Sequence, residues 1–375
     1  MRKRYPAPFV AEDLTSRMVF IGGPRQVGKT TFALSFLKKP STERSPAYLN
    51  WDSMADREKI LNAELPPHQP LIIFDEIHKF SEWRNLVKGI YDKNRSALSV
   101  IVTGSARLDY YRKGGDSLQG RYHYYRLHPL SLPEYTAAGT DALFRFGGFP
   151  EPLLRGDERF HRRWLREQST RLLYEDLRDL EQVKETSKLE LLLHHLPDCV
   201  GSPLSVNRNA KLLQASPAAV DRWISIFERL YLVYRIAPYG TARIRAVKKE
   251  NKLYFWDWSR VPEAGPRFEN MVAGHLLKYC HFIEDTQGHE MELRFVRDTD
   301  KREVDFVVLK NGLPEFAVEC KTGERRTSPH CAYFRERTNI PKFYQVHLGS
   351  KDYGNAELAT RVLPFKTFCK ELALV

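Results

Sequence analysis

The stretch SRMVFIGGPRQVGKTTFALSFL, residues 16–37, constrains this chain more than any other. A short apolar run, Met18 to Ile21, leads into the pattern G-x-x-x-x-G-K-T, from Gly23 through Gly28, Lys29 and Thr30. A helical pattern, Thr31 to Leu37, leads out of it. Strand, glycine-rich loop and helix in that order make a phosphate cradle. The glycines let backbone N–H groups close around an anion, and the helix that follows points its positive end at the same place. Gly23, Pro24, Arg25, Gln26, Val27, Gly28, Lys29, Thr30 and Thr31 are therefore expected to bind a nucleotide's phosphate chain. Lys29 would meet the outer phosphates and the Thr30 hydroxyl would ligate Mg²⁺.

A second apolar run, LIIFDEIHKF, ends in Asp75 and Glu76. Neighbouring acids suit the carboxyl end of a parallel strand, because ligands bind at that edge of an open sheet. Asp75 is expected to hold the magnesium through water, and Glu76 to polarise the attacking water. A third run, LSVIVTGSAR, ends in the polar Thr103 and Ser105, which could equally cap the helix that follows. Arg121, in LQGRYHYYRLHPLSLPEY, and Arg107 are candidates for an arginine that reaches a neighbour's γ-phosphate; both could also be solvated surface residues.

Taken in order, GGPRQVGKTT, LIIFDEIHKF, VTGSAR, QGR…LHPLSLPEY and FRFGGFPEP resemble a large prokaryotic group of AAA-type ATPases that end in a domain of unknown function. The resemblance implies ATP as the nucleotide, with Thr103 and Ser105 sensing its γ-phosphate or the attacking water. The group often has a further serine where this chain reads TGSAR.

The middle of the chain carries the order of a helix-turn-helix. A short helix is expected from Asn209 to Leu213, then a turn with Ser216 as cap and Pro217 as first helical residue, then a helix from Ala218 to Leu230. The run after it reads as a β-wing with cations at Arg243, Arg245, Lys248 and Lys249. Arg222 is the main base-reading side chain that the second helix offers, so the wing suits phosphate contact better than sequence readout. Such a fold can also serve packing or subunit contact alone.

Near the far end stands EVDFVVLKNGLPEFAVECK, residues 303–321, preceded by an amphipathic helix containing Glu269. An Asn311-Gly312 turn would fold this stretch into an antiparallel hairpin, bringing Asp305 near Glu319. Residues two apart share a face of a strand, so Glu319 and Lys321 point together. Helix, strand with Asp, strand ending in E-x-K, helix, strand is similar to the PD-(D/E)xK nuclease order. That resemblance implies Mg²⁺ on Asp305 and Glu319, Lys321 orienting or deprotonating water, and Glu269 as an accessory acid.

The expected fold class is α/β in three parts. These are a P-loop AAA-type ATPase core over residues 1–150, a helical lid with winged helix over 151–265, and a restriction-endonuclease-like domain over 266–375. A length of 375 residues suits two or three cores. The formal charge of +12 lies mostly in the first two thirds, which favours DNA or another polyanion as partner. No apolar run approaches the roughly 18–20 residues of a membrane span, and MRKRYPAPFV lacks the apolar core of a signal peptide. Five cysteines without CxxC spacing fit reduced thiols, so no membrane partner and a cytoplasmic location are expected. The function expected is ATP hydrolysis coupled to DNA binding, remodelling or translocation, with a homo-oligomeric ring and a metal-dependent nuclease as further possibilities. The alternative is a nucleotide-driven switch that recruits a protein partner.

Overall fold

The computed structural model describes residues 4–37, 42–94, 97–104, 118–135, 139–176, 185–240, 250–355 and 360–375. Its contacts divide the chain into two compact units, Met1–His128 and Pro129–Val375. Ser105, Arg107, Arg243, Arg245, Lys248 and Lys249 lie outside the described residues.

The first unit is built on five parallel strands. They are β1 (Met18–Gly22), β2 (Tyr48–Asn50), β3 (Leu71–Asp75), β4 (Ser99–Thr103) and β5 (Tyr122–Arg126), in the order β2-β3-β4-β1-β5. β1 and β3 are buried along their whole length, as continuous apolar runs in a sheet covered on both faces must be. Phe20, Phe74, Val102, Trp83 and Val87 share one core, the last two supplied by the helix Trp83–Asn94. Register places Ile21 beside Thr103 and Thr103 beside Asp75, so the carboxyl ends of β1, β4 and β3 finish in one row. The helix after β1 spans Lys29–Leu34, shorter than the sequence pattern suggests. Beyond Leu34 the backbone tightens into three-residue turns, with Ser35, Phe36 and Leu37 N–H bonding to Phe32, Ala33 and Leu34 carbonyls.

The second unit combines helices with an eight-stranded mixed sheet of order β12-β13-β11-β10-β9-β8-β6-β7. Its strands are β6 (Val233–Pro238), β7 (Lys252–Phe255), β8 (Met291–Arg297), β9 (Glu303–Lys310), β10 (Leu313–Lys321), β11 (Phe343–His347), β12 (Tyr353–Asn355) and β13 (Thr360–Pro364). Asn311 and Gly312 both take positive φ, 51° and 76°, the backbone a two-residue hairpin turn requires. The helix holding Glu269 runs Ala264–Gln287 and stops at Gly288, in the left-handed conformation.

The helix-turn-helix stretch forms helices Val206–Leu212 and Pro217–Arg229, each capped by a serine hydroxyl, Ser205 and Ser216. Val220, Ile224 and Phe227 are fully buried, as the helical spacing requires, and Trp223 and Ile226 join them. The strands that follow, on one side of residue 265, join the sheet formed mainly by strands on the other. β6 and β7 form an antiparallel pair, and β6 also pairs in parallel with β8 through Ala237 and Pro238. The middle third therefore extends the C-terminal sheet. An open β8 edge would leave a row of backbone groups unpaired, and β6 pairs with the middle of it, at Arg294 and Phe295.

Candidate functional site

The loop after β1 takes the backbone that a phosphate cradle needs. Gly23 has φ 138°, and a Cβ there would fall 2.4 Å from the Leu127 carbonyl oxygen, so no larger residue fits. Gly28 caps the helix in the left-handed region, with φ 94°. Gln26 shares that region at φ 62° with an exposed side chain, and Thr31 is exposed on the first helical turn. Lys29 is buried, and its ammonium donates to the carbonyls of Gly23 (3.0 Å) and Pro24 (2.8 Å) inside the loop.

Three hydroxyls converge on Asp75 at the end of β3. Thr30 and Tyr48 each donate to its Oδ2 at 2.7 Å, and Thr103 donates to Oδ1. Thr103 thus spends its hydroxyl on Asp75 rather than on a helix cap. Burial, followed by the charge of Asp75, pushes the Tyr48 phenol well above its ordinary range, so it remains a donor. Tyr48 escaped the sequence reading because it sits inside the strand-like run AYLNW; only the β2–β3 pairing brings it to Asp75.

Glu76 turns out of β3 with φ 56°, and its N–H bonds to the Thr103 carbonyl. Its carboxylate lies 3.5 Å from Lys79 and 3.8 Å from His78. Burial raises its affinity for a proton, with Lys29 and Lys79 pulling the other way. A carboxylate in that condition is a stronger base than a solvated one. Arg121 makes two hydrogen bonds to Asp92 of its own chain, at 2.8 and 3.1 Å.

The residues fit Mg²⁺ at this site. A threonine hydroxyl and a carboxylate oxygen 2.7 Å apart, at the mouth of a phosphate loop, are the hard oxygen donors that cation takes.

The second unit gathers a different cluster. The β9–β10 register sets Val318 opposite Phe306, one residue before Glu319 on one strand and one after Asp305 on the other. Asp305 Oδ2 accepts the Cys320 N–H at 2.8 Å, and Lys321 pairs with Glu319 at 2.6 Å. So the hairpin brings Asp305, Glu319 and Lys321 together as expected. Between the carboxylates lies a residue the sequence reading passed over. Lys252, wholly buried on β7, places its ammonium 2.5 Å from Glu303, 3.0 Å from Glu269 and 3.5 Å from Asp305. Tyr254 also donates to Glu269, and Arg297 pairs with the other oxygen of Glu303.

Burial alone would strip the proton from Lys252, but Glu269, Asp305 and Glu303 outweigh it and hold the ammonium well above its usual range. Burial first, then Glu269 and Glu319, push the Asp305 carboxyl well up. The signal for Lys252 was a lone charge inside the apolar run KLYFWDW, legible only as an anomaly.

Mg²⁺ on Asp305 and Glu319, expected from the sequence, does not fit this donor set. A cation already lies among the acids, and among the described residues no group of three or more His, Cys, Asp or Glu side chains is arranged to hold a metal.

The helix-turn-helix exposes Arg208, Lys211 and Arg222, whereas Arg235 on β6 is tied to Asp221 and Glu228.

The loop, the row of strand ends and the paired acids define the first unit as a P-loop nucleotide-binding fold. Residues 15–136 match the family model for an AAA domain, so the chain carries an AAA-type ATPase domain there. Residues 139–262 match a domain of unknown function (DUF8612), and residues 264–368 match another (DUF4143). Those changes of family fall close to the boundary expected at 265, although contacts join 129–375 into one unit.

Two relatives come from Methanocaldococcus jannaschii. Uncharacterized protein MJ1544 is 23% identical over 79% of this chain and 73% of its own length. Uncharacterized protein MJ1637 is 20% identical over 84% and 77%. Among solved structures, the Thermotoga maritima RuvB Holliday junction branch migration motor aligns with 61% of this chain and 88% of its own, at 13% identity and a TM-score of 0.32. A STAND signal-transduction ATPase from Pyrococcus horikoshii covers 75% of this chain and 47% of its own, at 14% identity and 0.23. Scores this low carry no argument about fold. Among the described residues no helix is long and apolar enough to cross a membrane.

Proposed function

We propose that this chain hydrolyses ATP and couples the cycle to binding and remodelling DNA, as a cytoplasmic homo-oligomer. One observation carries the first half: Thr30 of the phosphate loop, Asp75 and Thr103 form one hydrogen-bonded row across the ends of β1, β3 and β4. In this reading the loop N–H groups and Lys29 seat the phosphate chain. Thr30 and Asp75 would hold Mg²⁺, which would supply neutralising charge to the phosphates. Glu76 takes the proton of the attacking water, a task suited to a carboxyl whose proton affinity burial has raised. Thr103 reports the state of the phosphates to Asp75. Arg121 is the candidate to reach a neighbouring subunit, which requires it to leave Asp92.

The exposed Arg208, Lys211 and Arg222 and the overall charge of +12 support a polyanion partner. They suit phosphate contact, so the binding should be weakly sequence-dependent. A second reading, a nucleotide switch that recruits a protein, is favoured by the face of the helix Pro217–Arg229. Beside Arg222 that face exposes Pro217, Ala218 and Asp221, which read bases poorly.

ATPase rates of the purified chain with and without single-stranded, duplex and branched DNA separate the two. Stimulation supports the DNA reading, and its absence with all three forms removes it. Neutralising Arg208, Lys211 and Arg222 together should weaken every DNA alike and flatten the log–log salt dependence by roughly one unit per lost phosphate contact.

A further inference from the structure

The acids at the β9–β10 pair have a cation of their own, and it arrives from outside the hairpin. Lys252 stands on β7, whose backbone is fixed on β6 by the Ile236–Lys252 pair. A bridge to Pro203 and the bond from Leu204 N–H to the Asn251 carbonyl (2.7 Å) hold the other side. Tyr254, two residues on and therefore on the same face, donates to the Glu269 oxygen that Lys252 also contacts. The side chain is wholly buried, so the ammonium has no solvent to turn into on leaving the acids. Around it, four acids, Glu269, Glu303, Asp305 and Glu319, share three cations, Lys252, Arg297 and Lys321.

We propose that Lys252 is the resident cation of this cluster, occupying the position a divalent metal would need. The C-terminal acids then form a metal-independent ionic joint between β7, β9 and the helix Ala264–Gln287. They are not a phosphodiester-cleaving centre. A lysine at the seam also offsets the mutual repulsion of the gathered acids, of which Glu319 is buried and Glu269, Glu303 and Asp305 are half-buried. Glu319 Oε2, buried with no hydrogen-bond partner, is the acceptor at which a metal would compete.

The test uses the full chain without nucleotide, titrated with Mn²⁺ and followed by calorimetry and thermal unfolding. Asp305→Asn separates binding at this cluster from binding at the phosphate loop. Wild type should show no Mn²⁺ binding that Asp305→Asn removes, and no cleavage of DNA with Mg²⁺ or Mn²⁺ that Asp305→Asn removes. Lys252→Ala should unfold roughly 10 °C lower. Mn²⁺ should restore about half of that loss in Lys252→Ala and none of it in Lys252→Ala combined with Asp305→Asn. Mn²⁺ binding or cleavage by wild type that Asp305→Asn abolishes overturns the proposal. So does a folded Lys252→Ala chain that stays indifferent to Mn²⁺. If Lys252→Ala does not fold, the wild-type and Asp305→Asn comparison still decides.

Discussion

Asp75, buried, and Asp305, half-buried, are both strand acids with a second acid close by, yet their surroundings are opposite. Asp75 is held by three hydroxyls, from Thr30, Tyr48 and Thr103. Hydroxyls satisfy its lone pairs and leave its negative charge in place. Asp305 faces an ammonium, Lys252, carried by β7. The first environment brings no countercharge against an incoming cation, and the second already holds one. What an acid at a strand end can do is set by whether its partners are neutral dipoles or countercharges.

The sharpest way to break this comparison is to disable each region and measure one activity. Lys29→Ala should abolish ATP turnover, because the phosphate chain loses the cation held at Gly23 and Pro24. Asp305→Asn should leave turnover within about twofold, since that side chain belongs to the other unit and has no part in the proposed chemistry. A comparable loss in both variants would show that the two regions work as one site.

Glu76→Gln follows in size. Binding of ATP should persist while hydrolysis slows at least about a hundredfold, as expected for removal of a general base. Equilibrium binding of a fluorescent ATP analogue beside a turnover assay reads both, and normal turnover would remove Glu76 from the chemistry.

Tyr48→Phe tests whether the hydroxyls matter for more than packing. One neutral hydrogen bond to Asp75 is lost, worth about 1 kcal/mol, so turnover should fall several-fold with the fold intact. An unchanged rate would reduce Tyr48 to a strand residue.

The smallest effect is on pH dependence. A base must be ionised, so turnover is present above the Glu76 pKa and lost as pH falls through it. Burial raises that pKa, and Lys79 at 3.5 Å opposes the rise. Lys79→Ala should therefore move the acid limb of kcat to higher pH, by a fraction of a unit because Lys79 is partly exposed. An acid limb that stays in place would show that Glu76 does not titrate in the rate-determining step.

The phosphate loop was legible because its requirements are local. Gly23 and Gly28 must take positive φ, Lys29 and Thr30 must follow at once, and apolar strands must flank them. The turn at Asn311-Gly312, the Ser216 cap of the second helix and the approach of Asp305 to the end of β10 were legible for the same reason: turn chemistry and a period of two fix them within a few residues. Tyr48 and Lys252 were not legible. Each lies in an apolar run whose pattern gives the strand but not the neighbour across the sheet. The join of β6 to β8 was not legible for a related reason, since the two partners are separated by a long stretch of chain.

The sequence by itself determined which groups could do chemistry and on which strand ends they stand, because backbone conformation and side-chain alternation are short-range properties. Only the tertiary structure decided what surrounds those groups. Strand order is chosen by burial over the whole chain, and it set hydroxyls around Asp75 and a lysine beside Asp305.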